Sequence, residues 1–315
     1  MLKSKLSEII FPSFTLNASG INNEILKQLI KIADSKVGGV VFKSCSVDLR
    51  KGNQNPKYIV KSNLIPGCTF NSMGLPNKGL TENLEYVKYL KNYTEKPLIM
   101  SIVGIMDPIG ENQKMVEEFQ KQDLLDFIEV NLSCPNIEGE GILGYDFESV
   151  KKIVNTLTKV EGRAKIGFKL PPYTDITQFQ QISEILLNSK TAFVTSINTL
   201  PGLVVDPQKE SVIIKPKNGQ GGLGGDFIKP LALYNVRQLF EKIGSKIDII
   251  GVGGIKNGQD AFEFLLAGAS LVQIGTGFAH QGIEVFEKIN MELEQILLQK
   301  NYKSTEEVKG KLKFL

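Results

Sequence analysis

Short, almost wholly apolar runs alternate along the chain with longer stretches whose apolar positions recur every three or four residues. The apolar runs predict strands at Phe14–Ala18, Gly39–Lys43, Leu98–Val103, Phe127–Asn131, Lys165–Lys169, Ala192–Ile197, Asp248–Gly251 and Leu271–Gly275. Runs so short and so apolar suit strands buried on both faces, as in a parallel sheet. The three-to-four-residue spacing predicts helices over Glu24–Ile32, Asn83–Lys91, Asn112–Gln120, Phe147–Leu157, Phe179–Leu187, Ala232–Ile243 and Asp260–Ala267, with a last one from about Ile283 to Gln299. Eight strand–helix alternations predict an α/β fold, a (β/α)8 TIM barrel, formed as one domain by residues 1–315. A doubly wound open sheet is the competing arrangement. Residues 44–80 and 199–229 interrupt the rhythm and are rich in Gly, Pro and Asn. They read as loops or small hairpins, and in a barrel they lie over the C-terminal rim, where active sites are built.

Composition narrows the function classes. The chain has 315 residues, 42% hydrophobic and 23% charged, the profile of a soluble globular protein. A net charge of +3, with Lys and Glu interspersed, gives no basic block for nucleic acid or membrane. No apolar run approaches a membrane span, and the start, Met1-Leu2-Lys3-Ser4-Lys5, shows no secretion signal. Three cysteines, Cys45, Cys68 and Cys134, fit neither a disulfide framework nor a zinc site, so no metal is expected. Reduced thiols in the cytoplasm fit best. His280 is the only histidine, which excludes any mechanism needing two imidazoles. It falls where the last helical pattern starts, and a surface or helix-start role is expected of it.

The predicted strand ends carry the chemistry. They bring Asn17 with Ser19 and Gly20, Lys43 with Ser44, Ser101, Asn131, Lys169, Asn198, Gly253-Gly254 and Gly275-Thr276 to one mouth if the strands close. Desolvating an ammonium costs several kcal/mol unless a negative group compensates, so two rim lysines suggest an anionic ligand. Gly251-Val252-Gly253-Gly254 and Gly275-Thr276-Gly277 follow the last two strands, the usual phosphate site of this fold. The run Gly221-Gly222-Leu223-Gly224-Gly225 is placed to add to that site, and the amides around Gly74 to form a second anion nest. After the fourth strand, Asn131, Cys134 and Asn136 set two carboxamides and a thiol within six residues. Carboxamides can hold a flat polar ring, and a thiol whose deprotonation is controlled can serve as base. Phosphate loops, two lysines, carboxamides and a thiol together suit redox chemistry on a planar polar substrate. Flavin mononucleotide (FMN) fits as cofactor, with a lysine beside its N1 and C2 carbonyl.

Nine segments together carry a resemblance to a known family. They are Asn17-Ala18-Ser19-Gly20, Phe42-Lys43-Ser44, Asn71-Ser72-Met73-Gly74-Leu75-Pro76-Asn77, Asn131-Leu132-Ser133-Cys134-Pro135-Asn136 and Phe168-Lys169-Leu170-Pro171-Pro172-Tyr173, with Ile214-Lys215-Pro216-Lys217-Asn218-Gly219, Gly221–Gly225, Gly251–Ile255 and Gln273–Thr276. As a set they resemble the dihydroorotate dehydrogenases, and within them class 1A, over essentially the whole chain. The resemblance implies oxidation of (S)-dihydroorotate to orotate in de novo pyrimidine biosynthesis. Cys134 would take the C5 proton while the C6 hydride passes to flavin N5. Asn71, Asn131, Asn136 and Asn198, with Thr199, would hold the pyrimidine and its carboxylate. Lys43 and the amides of Met73, Gly74 and Leu75 would bind the carboxylate. Ala18, Ser19, Gly20, Lys43, Ser44, Asn131, Lys169, Ile197, Gly222, Gly253, Gly254, Gly275 and Thr276 would surround FMN. Class 1A implies a homodimer without nucleic-acid or membrane partners, in which fumarate, leaving as succinate, reoxidises the flavin. The membrane-associated class differs by a serine base and an N-terminal amphipathic extension. A class 1B subunit, linked to NAD through an iron–sulfur/FAD partner, is the alternative within the family.

Rival readings exist at each level. A pyrimidine-reducing domain or a tRNA dihydrouridine synthase is another flavin barrel, but the tRNA enzyme would need a basic face and an RNA-binding domain. A redox-silent phosphate-binding barrel, or a binding protein that kept the fold, would be colourless. Two positions depart from the family pattern: Thr199 stands where serine is expected, and Glu138-Gly139-Glu140-Gly141 replaces a Pro/Lys-containing stretch. The added methyl of Thr199 is expected to crowd the ring, and residues 137–144 to form a mobile lid whose acids slow an anionic substrate. A free thiol titrates near pH 8.5, so substrate oxidation is expected to rise with pH through the Cys134 pKa. Cys134→Ala should keep a yellow flavin yet lose nearly all flavin reduction by dihydroorotate in anaerobic stopped flow. Full reduction by that variant would remove the thiol from the role of base.

Overall fold

In the computed structural model, residues 1–133 and 141–315 are described. Eight parallel strands run in chain order: β1 Thr15–Asn17, β2 Val40–Val41, β3 Leu98–Ile102, β4 Phe127–Asn131, β5 Lys165–Leu170, β6 Phe193–Ser196, β7 Asp248–Val252 and β8 Leu271–Ile274. Each pairs with its neighbours in sequence, from β2 through to β8 and back to β1. A parallel bridge between Leu16 and Gly39 joins the two remaining edges. The arrangement is the (β/α)8 TIM barrel, and the doubly wound alternative is excluded.

Eight helices cover the strands: α1 Leu26–Asp34, α2 Gly79–Tyr93, α3 Pro108–Gln122, α4 Phe147–Leu157, α5 Ile176–Leu187, α6 Lys229–Ile243, α7 Gly258–Ala267 and α8 Val285–Gln299. Several begin at side chains that satisfy their first amides. The carboxylates of Asp107, Asp146 and Asp175 accept from the first turns of α3, α4 and α5, and the Asn257 carboxamide does so for α7. Helix α3 ends at Asp123 in the left-handed conformation. Sequence periodicity locates these helices to within a few residues, with α2, α3, α5, α6 and α7 starting earlier than predicted.

The inside of the barrel is layered. Side chains two apart on a strand share a face, so Phe127, Glu129 and Asn131 of β4 all point inward. Phe127 lies between Phe11 and Phe193, with ring centroids 5.8 and 5.5 Å away. These rings form an apolar base, closed from below by a hairpin of Ser4–Leu6 and Ile9–Phe11. Glycine at 167 makes room for this layer, since a Cβ there would stand 2.4 Å from the Phe193 ring. Above the base comes a buried polar layer, and above that the open mouth.

The two insertions are not independent hairpins. Tyr58–Ile59 and Cys68–Asn71 from the first pair with Gln220–Gly225 and Leu200–Leu203 from the second in one four-stranded antiparallel sheet. This sheet stands over the C-terminal rim. A two-strand arm, Val205–Asp206 with Ser211–Val212, extends from it. His280 does not begin the last helix. It lies on a separate short helix, Thr276–Gln281, and its Nε2 bonds the Val60 carbonyl of the first insertion at 2.6 Å.

Gly167→Ala is expected to destabilise the fold by about 1–3 kcal/mol, because the Phe193 ring and backbone block the added methyl. Urea denaturation checks this, and an unchanged midpoint would mean that the aromatic base gives way.

Candidate active site

A single cleft at the C-terminal mouth gathers most of the predicted residues. Ala18, Ser19, Gly20, Lys43, Ser44, Asn71, Met73, Leu75, Asn131, Lys169, Ile197, Asn198, Thr199, Gly253, Gly254, Gly275 and Thr276 all line it. The space between its walls is about 1040 Å³, solvent at the mouth included. Gly74 and Gly222 do not line it, and Cys134 and Asn136 lie outside the described residues, as do residues 137–140 of the predicted lid.

Each wall is fixed by local hydrogen bonds. The Asn131 Oδ1 accepts from the Ser133 amide and hydroxyl, both at 3.1 Å. Asn198 Nδ2 donates to the Ser133 hydroxyl at 2.9 Å and to its carbonyl at 3.2 Å. Ser133 thus clamps the two asparagines in fixed orientations, a role the sequence alone does not suggest. On the other side of the strand end, the Ser44 and Ser101 hydroxyls are 2.9 Å apart.

The turn at 73–75 has its carbonyls committed outward. Met73 O accepts from the Asn53 amide at 2.8 Å, Gly74 O from Arg50 Nε at 3.4 Å, and Leu75 O from Asn77 Nδ2 at 2.9 Å. In a trans peptide the amide points opposite to the carbonyl, so the amides of Gly74 and Leu75 face the other way. That is the arrangement of an anion nest.

Thr199 leans on the insertion strand rather than standing free. A Cβ at Gly222 would be 2.7 Å from Thr199 Cβ, and one at Gly224 would be 3.5 Å from its Cγ2. Glycine at 222 therefore makes room for the Thr199 hydroxyl and Cβ, which serine would share, while the methyl is in ordinary contact with position 224. Asn71 Nδ2 donates to the Gly222 carbonyl at 3.3 Å, so Gly222 supports the wall from behind.

Two lysines serve the cleft from inside the barrel. Lys43 is 8% exposed and Lys169 only 4%. Lys169 Nζ donates to Gln273 Oε1 at 3.1 Å. Burial pulls the Lys169 ammonium below its ordinary value, and the Glu129 carboxylate partly offsets this. The two described thiols, Cys45 and Cys68, are poor candidates for chemistry. Burial raises both, Cys45 to about 12, and neither lines the cleft.

The residues fit a flavin phosphate ester. Gly253 and Gly254 have φ of +139° and +73°, and a Cβ at 254 would stand 2.6 Å from Lys229 Cβ and 2.9 Å from the Gly225 carbonyl. Only glycine lets the chain turn there and approach a ligand closely. A Cβ at Gly20 would meet open space. The Tyr58 hydroxyl, buried and without a hydrogen-bond partner, lines the same cleft, and burial raises it to about 12. Buried hydroxyls are nearly always bonded, so this donor suits a ligand atom. Sequence reasoning misses Tyr58 because its strand forms only by pairing with Cys68–Asn71.

A parallel barrel with glycine loops after β7 and β8, a buried lysine and a carboxamide-lined mouth defines a cofactor-binding α/β barrel of the phosphate-site type. The dihydroorotate dehydrogenase family model matches residues 1–297, and the chain belongs to that family. It is 43% identical over 304 residues to the dihydroorotate dehydrogenase (fumarate) of Saccharomyces mikatae, covering 95% of this chain and 94% of that one. It is 41% identical over 318 residues to dihydroorotate dehydrogenase A (fumarate) of Lactococcus lactis subsp. cremoris (strain MG1363), covering all of both. Among solved structures it matches the ferulenol complex of Eimeria tenella DHODH with a TM-score of 0.83 at 18% identity, over 98% of this chain and 88% of that one. That last likeness speaks for the fold.

Tyr58→Phe should leave the thermal stability of the flavin-free protein unchanged or slightly higher, since an unpaired buried hydroxyl is removed. It should weaken ligand binding by about fivefold, the worth of one hydrogen bond. Melting curves with and without FMN and orotate separate the two effects. Lost stability without ligand would show that the hydroxyl bonds within the protein.

Proposed function

We propose that this chain oxidises (S)-dihydroorotate to orotate in de novo pyrimidine biosynthesis, with fumarate as the final acceptor, leaving as succinate. The observation that carries this is the buried Lys169 ammonium facing a carboxamide-lined cleft, in a chain of the dihydroorotate dehydrogenase family. The relatives named above carry the fumarate-dependent activity in their names. FMN, when bound, supplies the hydride acceptor.

The chain's own residues then divide the work. Gly253, Gly254, Gly275 and Thr276, with Ala18, Ser19 and Gly20, hold the cofactor at the loops after β7, β8 and β1. Lys169 stabilises negative charge beside the ring system. Lys43 and the amides of Met73, Gly74 and Leu75 bind the substrate carboxylate. Asn71, Asn131, Asn136 and Asn198 orient the pyrimidine so that its C5 proton meets Cys134. Proton removal and hydride departure leave a C5–C6 double bond, and the proton goes to the thiolate. Residues 1–315 act as one FMN-binding barrel domain.

The protein functions as a cytoplasmic homodimer. Exposed Leu203 and Val205, on and beside the arm of the insertion sheet, support self-association, since clustered apolar side chains there favour burial. No helix among the described residues is long and apolar enough to cross a membrane.

An anaerobic experiment tests the reading. Dihydroorotate should bleach the yellow protein, and fumarate should restore the colour. Recovery with NAD or quinone but not fumarate would overturn the acceptor, and a colourless protein would favour a redox-silent barrel.

A further inference from the structure

Glu129 is wholly buried inside the barrel, two residues below Asn131 on β4. The predicted chemistry makes no use of it. Its Oε2 accepts two hydrogen bonds of 2.7 Å, from Gln273 Nε2 on β8 and Thr195 Oγ1 on β6. Its Oε1 is buried with no hydrogen-bond partner. A carboxylate in this position is costly unless a positive charge compensates it.

The compensating charge is Lys169 on β5, reached through Gln273. Because the Gln273 amide gives its NH2 to Glu129, its oxygen must face the other way, and that oxygen accepts from Lys169 Nζ. The run is therefore directional: ammonium to amide oxygen, amide nitrogen to carboxylate. Hydrogen bonds so aligned polarise one another in a low-dielectric interior. All four side chains are at most 4% exposed. Lys169 and Gln273 line the cleft, whereas Glu129 and Thr195 do not.

We propose that Glu129 is the positioning residue of this site, a buried counter-charge that acts through Gln273 to keep Lys169 protonated and aimed at the cofactor. The assignment rests on the FMN reading above. Among the described residues, the other titratable side chains that line the cleft are Lys43 at the end of β2 and Tyr58 of the insertion sheet. Neither can supply the negative charge that Lys169 needs at neutral or mildly alkaline pH. Burial lowers the affinity of Lys169 for its proton and Glu129 raises it, so loss of the carboxylate moves proton loss to lower pH. Flavin held by the ammonium is then released as pH rises, at a pH where the unaltered protein still retains it.

Flavin release from the diluted holoenzyme, followed by flavin fluorescence between pH 7 and 9, tests this. In Glu129→Gln, release at pH 9 should exceed release at pH 7 by about tenfold, because the lysine gives up its proton at lower pH, while the unaltered protein changes by less than about threefold. In Lys169→Met the Glu129→Gln change should have no further effect on the pH profile, because the carboxylate acts only through the lysine. A Glu129→Gln profile matching that of the unaltered protein, or the same added effect in the Lys169→Met background, overturns the proposal. If Glu129→Gln does not fold, thermal stability decides. Glu129→Gln should restore stability to Lys169→Met, which leaves a lone buried carboxylate, and absence of that rescue overturns the pairing. If the unaltered protein carries no flavin, the FMN reading fails, and the pairing of Glu129 with Lys169 is decided by the same rescue of thermal stability.

Discussion

A closed barrel leaves its interior charge no route to water. Once eight strands join through the Leu16–Gly39 bridge, every inward side chain below the mouth must be apolar or matched within the barrel. The base solves this with the Phe11, Phe127 and Phe193 rings. The middle layer solves it with opposite charges carried on β4 and β5 and joined through an amide on β8. That match lets an ammonium stand at the floor of the mouth, where in water it would have little electrostatic leverage. In a medium of low dielectric the same charge acts strongly on whatever lies above it.

The sequence discloses this architecture unevenly, for physical reasons. Strands buried on both faces must be apolar throughout, and helices packed on a barrel must be apolar on one side, so both periodicities are visible. Phe147–Leu157 is legible with its observed bounds because Asp146 caps it and its apolar positions fill the first and last turns. The N-terminal hairpin and the insertion sheet are not visible in this way. Each depends on pairing that local composition does not encode: Asn71 faces Gly222 across 151 positions of chain. Long-range pairs of this kind cost loop-closure entropy and leave no periodic trace.

The site is legible to a similar degree. Residues at strand ends can be gathered once a barrel is assumed, because such a fold brings the C-terminal ends of all strands to one face. Side chains that act on those residues rather than at the mouth are harder to see. Ser133 lies within one of the family segments, but its clamp on Asn131 and Asn198 needs the ends of β4 and β6, on either side of β5, brought to one mouth. Glu129 reads as one polar position in an apolar strand, a pattern that usually means an exposed edge. Its meaning emerges only when β6 and β8 bring Thr195 and Gln273 to it.

The insertion sheet also changes how Thr199 is understood. Taken as an isolated replacement of serine, its methyl would be expected to crowd a planar ligand. In the fold the residue abuts a strand that is glycine at 221, 222, 224 and 225, and a Cβ at 222 would collide with it. The atoms that need glycine at 222 are the hydroxyl and Cβ, common to serine and threonine, and the methyl lies at ordinary contact distance from this strand. The same strand carries the carbonyl that holds Asn71. Ring-facing residues from the sixth strand end and from the first insertion thus share one glycine-rich support. Any side chain added at 222 would displace Thr199, so the placing of a hydroxyl residue at 199 is conditional on glycine at 222.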